Sequence, residues 1–510
     1  MCSIDPDEIT AMERVTGALD ISGGEVLCRK CGESTAEVVL RVKDAYCRQC
    51  FLLYFVHKFR STIGKSKQIH PGDRVLVAIS GGPSSVALLH LIREGLNENS
   101  HKKLRFEPAF LYVDESCISG DPMIGLDYVR KVCSEVIAVD FQCYVTSLQQ
   151  IMLPNSHPPV PFTEEWSEAN LLNSKSATEK LRELLASCKS VSAQQDLHEQ
   201  LRHEVIVQCA QDLRYQKVFL ADNSTKLSIS ILSNVAVGRG SQLSRKVHFR
   251  SLHRDVEVFR PMREILESEV QHYVRFHKLN ELQSPVFKPK GTSIASCTEE
   301  FVRGLQKEFP ATVPTIFRTG DKLTSSSLDN SKHSTPDMNS DSTSDTRVDL
   351  SSKHCVLCCS PVDTGQGEAS AFCATLVSQK LSAGGSLSHS LQENLTNKGS
   401  DISRETFTDM MNGLHVNDCC EAGESSPVTA ESLADGQTSE CCGGRKLCSS
   451  GSKELEQITK DVMERHLCYG CRIVLREMVE VNRLPVKMRK VAAESERRMH
   501  MREQIQDFLL

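Results

Sequence analysis

The sequence predicts an α/β protein built on a parallel sheet, with two cysteine modules and a long segment outside the fold. Three observations carry this expectation. Short apolar runs alternate with helical patterns from Arg74 to about Leu279. Cys-x-x-Cys pairs lie on both sides of that region, and residues 320–465 are rich in Ser, Thr, Asp, Gly and Asn. Strand–helix alternation is the signature of a parallel sheet covered on both faces. The 510 residues are enough for a sizeable core. Aromatic residues make up only 5 %, with Trp166 the single tryptophan, as expected if part of the chain does not fold.

Residues 1–24 are polar and expected to be flexible. Residues 25–60 hold Cys28-x-x-Cys31 and, fifteen residues later, Cys47-x-x-Cys50, followed by the apolar run CFLLYFVHKFR. Two tight turns presenting two thiolates each are the spacing of a closed, structural zinc site. The strands expected next are 74–80, 106–114, 136–145 and 217–222, with a weaker fifth at 256–261. Helices are expected at 84–97, 122–134, 198–213 and 225–237. The proline-rich stretch from 153 and the polar sequence after it read as an insertion near 153–195, inside an α/β domain spanning 70–318.

Beyond a disordered linker (320–354), Cys355-x-x-Cys358 is separated from Cys468-x-x-Cys471 by 109 residues. Loop-closure entropy grows only logarithmically with length, so these pairs are expected to form one split zinc ribbon (355–360 with 466–480) around a disordered acidic insertion (361–465). Residues 481–510 read as a charged helical tail. Cys419-Cys420 and Cys441-Cys442 lack the two-residue spacer and read as ordinary thiols, as does Cys209 on its helix.

No apolar run approaches the roughly 18 residues of a membrane span. The acidic N-terminus Met1-Cys2-Ser3-Ile4-Asp5 has no apolar signal core, so a cytoplasmic location without membrane association is expected. In that compartment the 22 cysteines point to metal binding or free thiols, not a disulfide framework. The net charge of −6 divides unevenly: residues 321–465 carry −10 and the remainder +4, a balance compatible with a nucleic-acid partner.

The stretch Ser80-Gly81-Gly82-Pro83-Ser84-Ser85 follows the first strand and opens a helix. Glycines let backbone approach an anion, the helix N-terminus supplies free N–H groups, and proline is tolerated in a first turn. It is not a Walker loop, since no Gly-Lys-Ser/Thr follows. The stretch reads either as an anion cradle or as a plain strand-to-helix turn.

With Ser80-Gly81-Gly82-x-x-Ser85 at the first strand, the chain resembles the PP-loop ATP pyrophosphatase superfamily, which implies a Rossmann-like PP-loop domain. The N-terminal cysteine pairs and CYGCRIVLREM (468–478) narrow the resemblance to the second, larger subunits of cytosolic tRNA-thiolating heterodimers. It covers 25–150, 198–290, 355–360 and 466–480. It implies formation of 2-thiouridine at the wobble position of tRNAs for lysine, glutamine and glutamate. A catalytic PP-loop partner and a ubiquitin-related sulfur carrier with a C-terminal thiocarboxylate are also implied.

Active members adenylate a uridine carbonyl with ATP and magnesium before sulfur displaces AMP. Three departures argue against that chemistry here. Ser84 stands where the active loop has aspartate. The active Gly-His-Asn-x-Asp-Asp stretch reads Ala221-Asp222-Asn223-Ser224-Thr225-Lys226, so both terminal carboxylates are replaced. The family's catalytic cysteines are also missing from 196–211 and 238–249, where only Cys209 occurs. No catalytic residue is therefore assigned, and a non-catalytic subunit is expected. Two alternatives stay open. One is an active enzyme with displaced ligands, Asp114 serving as substitute carboxylate. The other is a zinc-ribbon scaffold whose Ser-rich acidic segment is phosphorylated. Arg239, Arg245, Lys246, Arg250 and Arg254 form the basic segment expected to contact tRNA phosphates, with a second basic group at Lys487–Arg502.

Overall fold

A computed structural model describes residues 26–40, 44–98, 103–119, 122–155, 157–163, 165–167, 174–240, 243–282, 291–322, 354–360, 362 and 458–508. The chain divides into two units, Met1–Gly365 with Lys453–Leu510, and Gln366–Ser452. The second unit lies outside the described residues, as do the expected flexible N-terminus, nearly all of the linker, and Cys419, Cys420, Cys441 and Cys442. No described helix is long and apolar enough to cross a membrane.

A small antiparallel ribbon, β1 (Val38–Leu40) with β2 (Asp44–Tyr46), precedes the main sheet. The main sheet holds β3 (Arg74–Ile79), β4 (Glu107–Asp114), β5 (Gln142–Ser147), β6 (Val160–Pro161), β7 (Lys217–Phe219), β8 (Arg250–His253) and β9 (Val256–Phe259), in the order β6-β5-β4-β3-β7-β9-β8. The five inner strands are parallel, and β6 and β8 join antiparallel at the edges. The α/β class expected from the alternation is the one observed.

Successive strand side chains face opposite ways, so the sheet builds two cores. Val75, Val77, Phe110, Phe219 and Phe259 pack on one side beneath α1 (Arg48–Ser66), α2 (Pro83–Leu96), α4 (Pro122–Ile137) and α9 (Glu267–His277). In α1, Phe51, Phe55, Phe59 and Ile63 recur every fourth residue and form one buried stripe, with Phe55 stacked on Tyr273 of α9 at 4.2 Å. Lys58 and Tyr54 both reach the buried Glu269 of α9, which anchors α1.

Leu76, Leu111, Val218 and Val258 face the other core. Here lie α5 (Lys175–Ala186), α6 (Val191–Asp212) and the C-terminal elements α12 (Lys460–Arg465), α13 (Tyr469–Glu477) and α14 (Val486–Phe508). The C-terminal cysteine segment is thus part of the central core rather than a separate lobe. The remaining helices are α3 (Ser116–Ser119), α7 (Ser224–Ala236), α8 (Leu243–Val247), α10 (Ile294–Glu308) and α11 (Thr312–Lys322).

Three local expectations change. The presumed insertion contains α5, whose Ala177, Leu181, Leu184 and Leu185 are buried at helical spacing among polar residues. The expected strand 136–145 divides: Val136 and Ile137 end α4, Asp140 turns the chain at φ +61°, and β5 begins at Gln142. A short apolar run does not distinguish a helix end from a strand. The basic stretch after 249 contains an edge strand, β8, closed onto β9 by a tight turn with Arg254 at φ +54°.

Candidate functional site

The glycine loop sits where chain order in the sheet reverses. β4 and β5 lie on one side of β3, and β7 and β9 on the other. In open α/β sheets, ligands bind outside the carboxyl ends of the strands at such a switch point. Gly81 has φ +75°, and an added Cβ would lie 2.4 Å from the Tyr128 hydroxyl oxygen. That hydroxyl donates to the Ser80 carbonyl at 2.7 Å. Gly82 caps α2 with no side-chain bond to the cap, and Pro83 follows in the first turn. The Ser85 hydroxyl turns back to the Gly82 carbonyl at 2.9 Å, and Ser85 is buried. Ser84 accepts a hydrogen bond from Asn223 Nδ2 at 2.9 Å, while Asn223 Oδ1 accepts from the Lys226 backbone N–H at 2.8 Å. One side chain therefore links the starts of α2 and α7 across the switch point.

The carboxylates here are committed. Asp222 meets Lys226 Nζ at 2.8 Å and Arg260 Nε at 3.5 Å. Burial would raise its pKa, but Lys226 and Arg260 hold it down at about 2. Glu199 is also held below the ordinary range, first by Lys246 and further by Arg202 and Lys226. Burial keeps His203 neutral well below its ordinary pKa, reinforced by His253 and Arg260. At the end of β4, Asp114 is 2 % exposed and accepts from both the backbone N–H and the hydroxyl of Ser116. Burial raises its pKa. Asp114 thus has little of the character of an exposed carboxylate ligand.

Two cysteine clusters are assembled. Cys28, Cys31, Cys47 and Cys50 place all four sulfurs within 4.8 Å of one another, and so do Cys355, Cys358, Cys468 and Cys471. A tetrahedral site with Zn–S bonds of about 2.3 Å has S–S edges of about 3.8 Å. Cys31 and Cys47 lie 3.9 Å apart, and Cys358 and Cys468 3.5 Å. Both sets can hold a metal ion. Burial opposes ionisation of Cys28, but backbone N–H groups of Cys31, Cys47 and Lys30 hold its thiol at about 6. Cys47 and Cys468 both sit immediately before a helix, with Cys50 and Cys471 in the first turn. Each helix thereby fixes two ligands. Cys209, by contrast, is fully buried and its thiol is pushed up to about 12 by burial.

The basic segment is not a uniform surface. Arg239 is a correction: it is 4 % exposed, pairs with Asp196 at 2.8 Å and donates to the Gly470 carbonyl. Its side chain crowds Gly470, where a Cβ would lie 2.5 Å from Arg239 Nε. Its charge is spent inside, bracing the first turn of α13 between Cys468 and Cys471, and is not available to tRNA. Arg254 reaches inward to Glu204 at 2.7 Å. Arg250 pairs with Glu257 across the β8–β9 ribbon, and Arg245 donates to the Leu252 carbonyl. Arg250 is exposed, whereas Arg245 and Lys246 are half-buried. Arg202, Arg260 and Tyr128 were not singled out in the sequence. For Arg260 a signal existed, as a charged residue ending a parallel strand.

The sequence profile of the family described as cytoplasmic tRNA 2-thiolation protein 2 matches residues 293–473. Over the whole chain, cytoplasmic tRNA 2-thiolation protein 2-A of Xenopus laevis is 32 % identical across 537 aligned residues, covering 95 % of this chain and 94 % of its own. The chain belongs to the cytoplasmic tRNA 2-thiolation protein 2 family. The Danio rerio member of that family is 30 % identical, with 100 % of this chain and 99 % of the relative covered. Among solved structures, the U34-tRNA thiolase NcsA from Methanococcus maripaludis with its [4Fe-4S] cluster is 18 % identical. It covers 58 % of this chain and 86 % of that one, with a TM-score of 0.43. Members of the cytoplasmic tRNA 2-thiolation protein 2 family thus match this chain from end to end, including the segment between the two halves of the second cysteine cluster.

Proposed function

We propose that this chain is the non-catalytic subunit of a heterodimeric, cytoplasmic tRNA-thiolating complex. It acts in forming 2-thiouridine at the wobble position of the lysine, glutamine and glutamate tRNAs. A PP-loop partner carries out adenylation and sulfur transfer, with sulfur supplied by a thiocarboxylated ubiquitin-related protein. The observation that carries this reading is the state of the carboxylates at the switch point. Asp222 is neutralised by Lys226 and Arg260, and Asp114 is capped by Ser116. Magnesium-assisted adenylation needs oxygen ligands free to meet the ion. Among the described residues, the only cysteine clusters are the two tetrads, which lack an open ligand position and suit structural zinc.

The test is adenylation and thiolation of tRNA by the purified chain with and without its partner. Activity is expected only with the partner, and robust turnover by the chain alone would sink the reading. For tRNA contact, Arg245, Lys246 and Arg250 remain the proposed phosphate ligands. Charge reversal at Arg245 and Lys246 is expected to weaken tRNA binding by the complex roughly tenfold at low salt and to flatten its salt dependence. Unchanged affinity at low salt removes these residues from the interface.

A further inference from the structure

Both ends of the basic segment 239–254 are held against the second cysteine cluster. At its start, Arg239 lies on Gly470, between Cys468 and Cys471, and its Nη2 donates to the Gly470 carbonyl at 3.3 Å. Its Nε–H is buried without a hydrogen-bond partner among the described residues. At its end, His253 Nε2 lies 3.6 Å from the Sγ of Cys359, the residue after Cys358. Cys359 belongs to the ligand turn, since its backbone N–H donates to the Cys355 carbonyl at 2.8 Å. Each end of the segment thus touches one half of the split cluster. α6 supplies the floor beneath. Asp196, Gln200 and Glu204 recur every fourth residue and form one polar stripe. Asp196 pairs with Arg239 at 2.8 Å, and Gln200 Oε1 lies 3.6 Å from Cys471 Sγ. Glu204 pairs with His253 at 3.1 Å and with Arg254 at 2.7 Å. The cluster, the helix and both ends of the segment form one polar junction, and Arg245, Lys246 and Arg250 lie between the ends.

We propose that the second metal centre is a clasp for this segment: an ion joining the 355–358 turn to the 468–471 turn fixes both ends and presents Arg245, Lys246 and Arg250 to tRNA. The proposal rests on the readings that the second tetrad holds zinc and that these residues meet tRNA phosphates. Four thiolates around a divalent ion leave excess negative charge, which favours the Arg239 guanidinium and its unspent Nε–H beside it. A stretch of chain fixed at both ends has lost much of its freedom before tRNA arrives, so less ordering remains to oppose binding. Arg239 and His253 are positioning residues in this arrangement, acting through the segment between them.

The test is linkage, read on the full chain. Zinc release to a chelator is followed with and without tRNA, and the phase missing from Cys471→Ser is assigned to the second site. tRNA is expected to tighten zinc at that site roughly tenfold, and removal of that zinc to weaken tRNA binding by the same factor, because coupling is reciprocal. The chain with Arg245 and Lys246 reversed in charge controls for zinc held by tRNA itself. Gly470→Ala changes no ligand and no charge but displaces Arg239, whose Nε would lie 2.5 Å from the new Cβ. It is expected to retain two zinc ions, to speed amide exchange in 243–253 about tenfold and to weaken tRNA binding roughly fivefold. His253→Ala, at the other end, should act in the same direction. Zinc at the second site indifferent to tRNA, or exchange in 243–253 unchanged in both variants, overturns the proposal. The underlying readings fail on separate results: absence of a second ion from the wild type, or unchanged tRNA affinity on reversal of Arg245 and Lys246. Either of these also removes the proposal.

Discussion

Gly81 and Gly82 are adjacent and nearly interchangeable on paper, but different constraints hold them. Gly81 combines φ +75° with contact against Tyr128 and Val132, whereas Gly82 has φ −73° and nothing nearer its missing Cβ than Ser80 Oγ at 3.7 Å. Gly81→Ala is therefore expected to destabilise by more than about 1 kcal/mol in urea unfolding. Gly82→Ala should cost only a few tenths, since glycine is itself a modest cap. Equal losses would show that the loop is not shaped as described. His90 offers a second test. Its Nδ1 lies 2.8 Å from the Tyr273 hydroxyl. Burial, then the charges of His277 and Arg93 against Glu94, press its pKa from 6.5 to about 4. The unfolded chain thus binds more protons between these values. The neutral ring's contribution is complete above about pH 6.5 and is lost as pH falls toward 4. His90→Asn should flatten the fall of the thermal midpoint between about pH 7 and 5; an unchanged slope would mean that His90 titrates as freely as in the unfolded chain. The loop glycines and the substitutions at Ser84, Thr225 and Lys226 were legible in the sequence. The inward turn of Arg239 was not, because its partners Asp196 and Gly470 are distant in the chain.

At the scale of elements, legibility followed the strength of local pattern. β3 and β4, continuous apolar runs, lie where expected within a residue. β8 was hidden in a basic stretch, since an edge strand needs only one apolar face and Ser251 and Leu252 give little alternation. α5 was masked by the polar residues around its four buried positions. The cysteine pairs were legible through spacing alone, and they make a quantitative prediction. Elemental analysis of the purified chain should find two zinc ions per molecule. Cys471→Ser should remove one and lower the thermal midpoint, because Cys471 shares a core with Val474, Leu475 and the sheet. Cys188→Ser, outside both tetrads, should leave the count at two. A single ion in the wild type would rule out one of the sites.

For the whole molecule, the consequential closure joins Cys355 and Cys358 to Cys468 and Cys471 across 109 residues. Each doubling of a flexible loop adds only about 0.6 kcal/mol of closure entropy. Replacing 366–452 by a short flexible linker should therefore preserve two metal ions and change stability in urea by no more than about 2 kcal/mol. Loss of one ion on that replacement would show that the intervening unit helps to build the second site. Sequence by itself determined the central strands and most of the helices, the pairing of cysteines within each turn, and the replacement of carboxylates at Ser84, Thr225 and Lys226. These depend on residues a few positions apart, whose geometry is set by local covalent spacing and side-chain periodicity. Tertiary structure decided which charges face one another. It brought Arg202, Lys226 and Arg260 around Asp222, turned Arg239 against the second cysteine cluster, and set the glycine loop at the reversal of strand order. Burial and Coulomb interaction act on distance in space, and only the folded sheet brings residues 202, 222, 226 and 260 together.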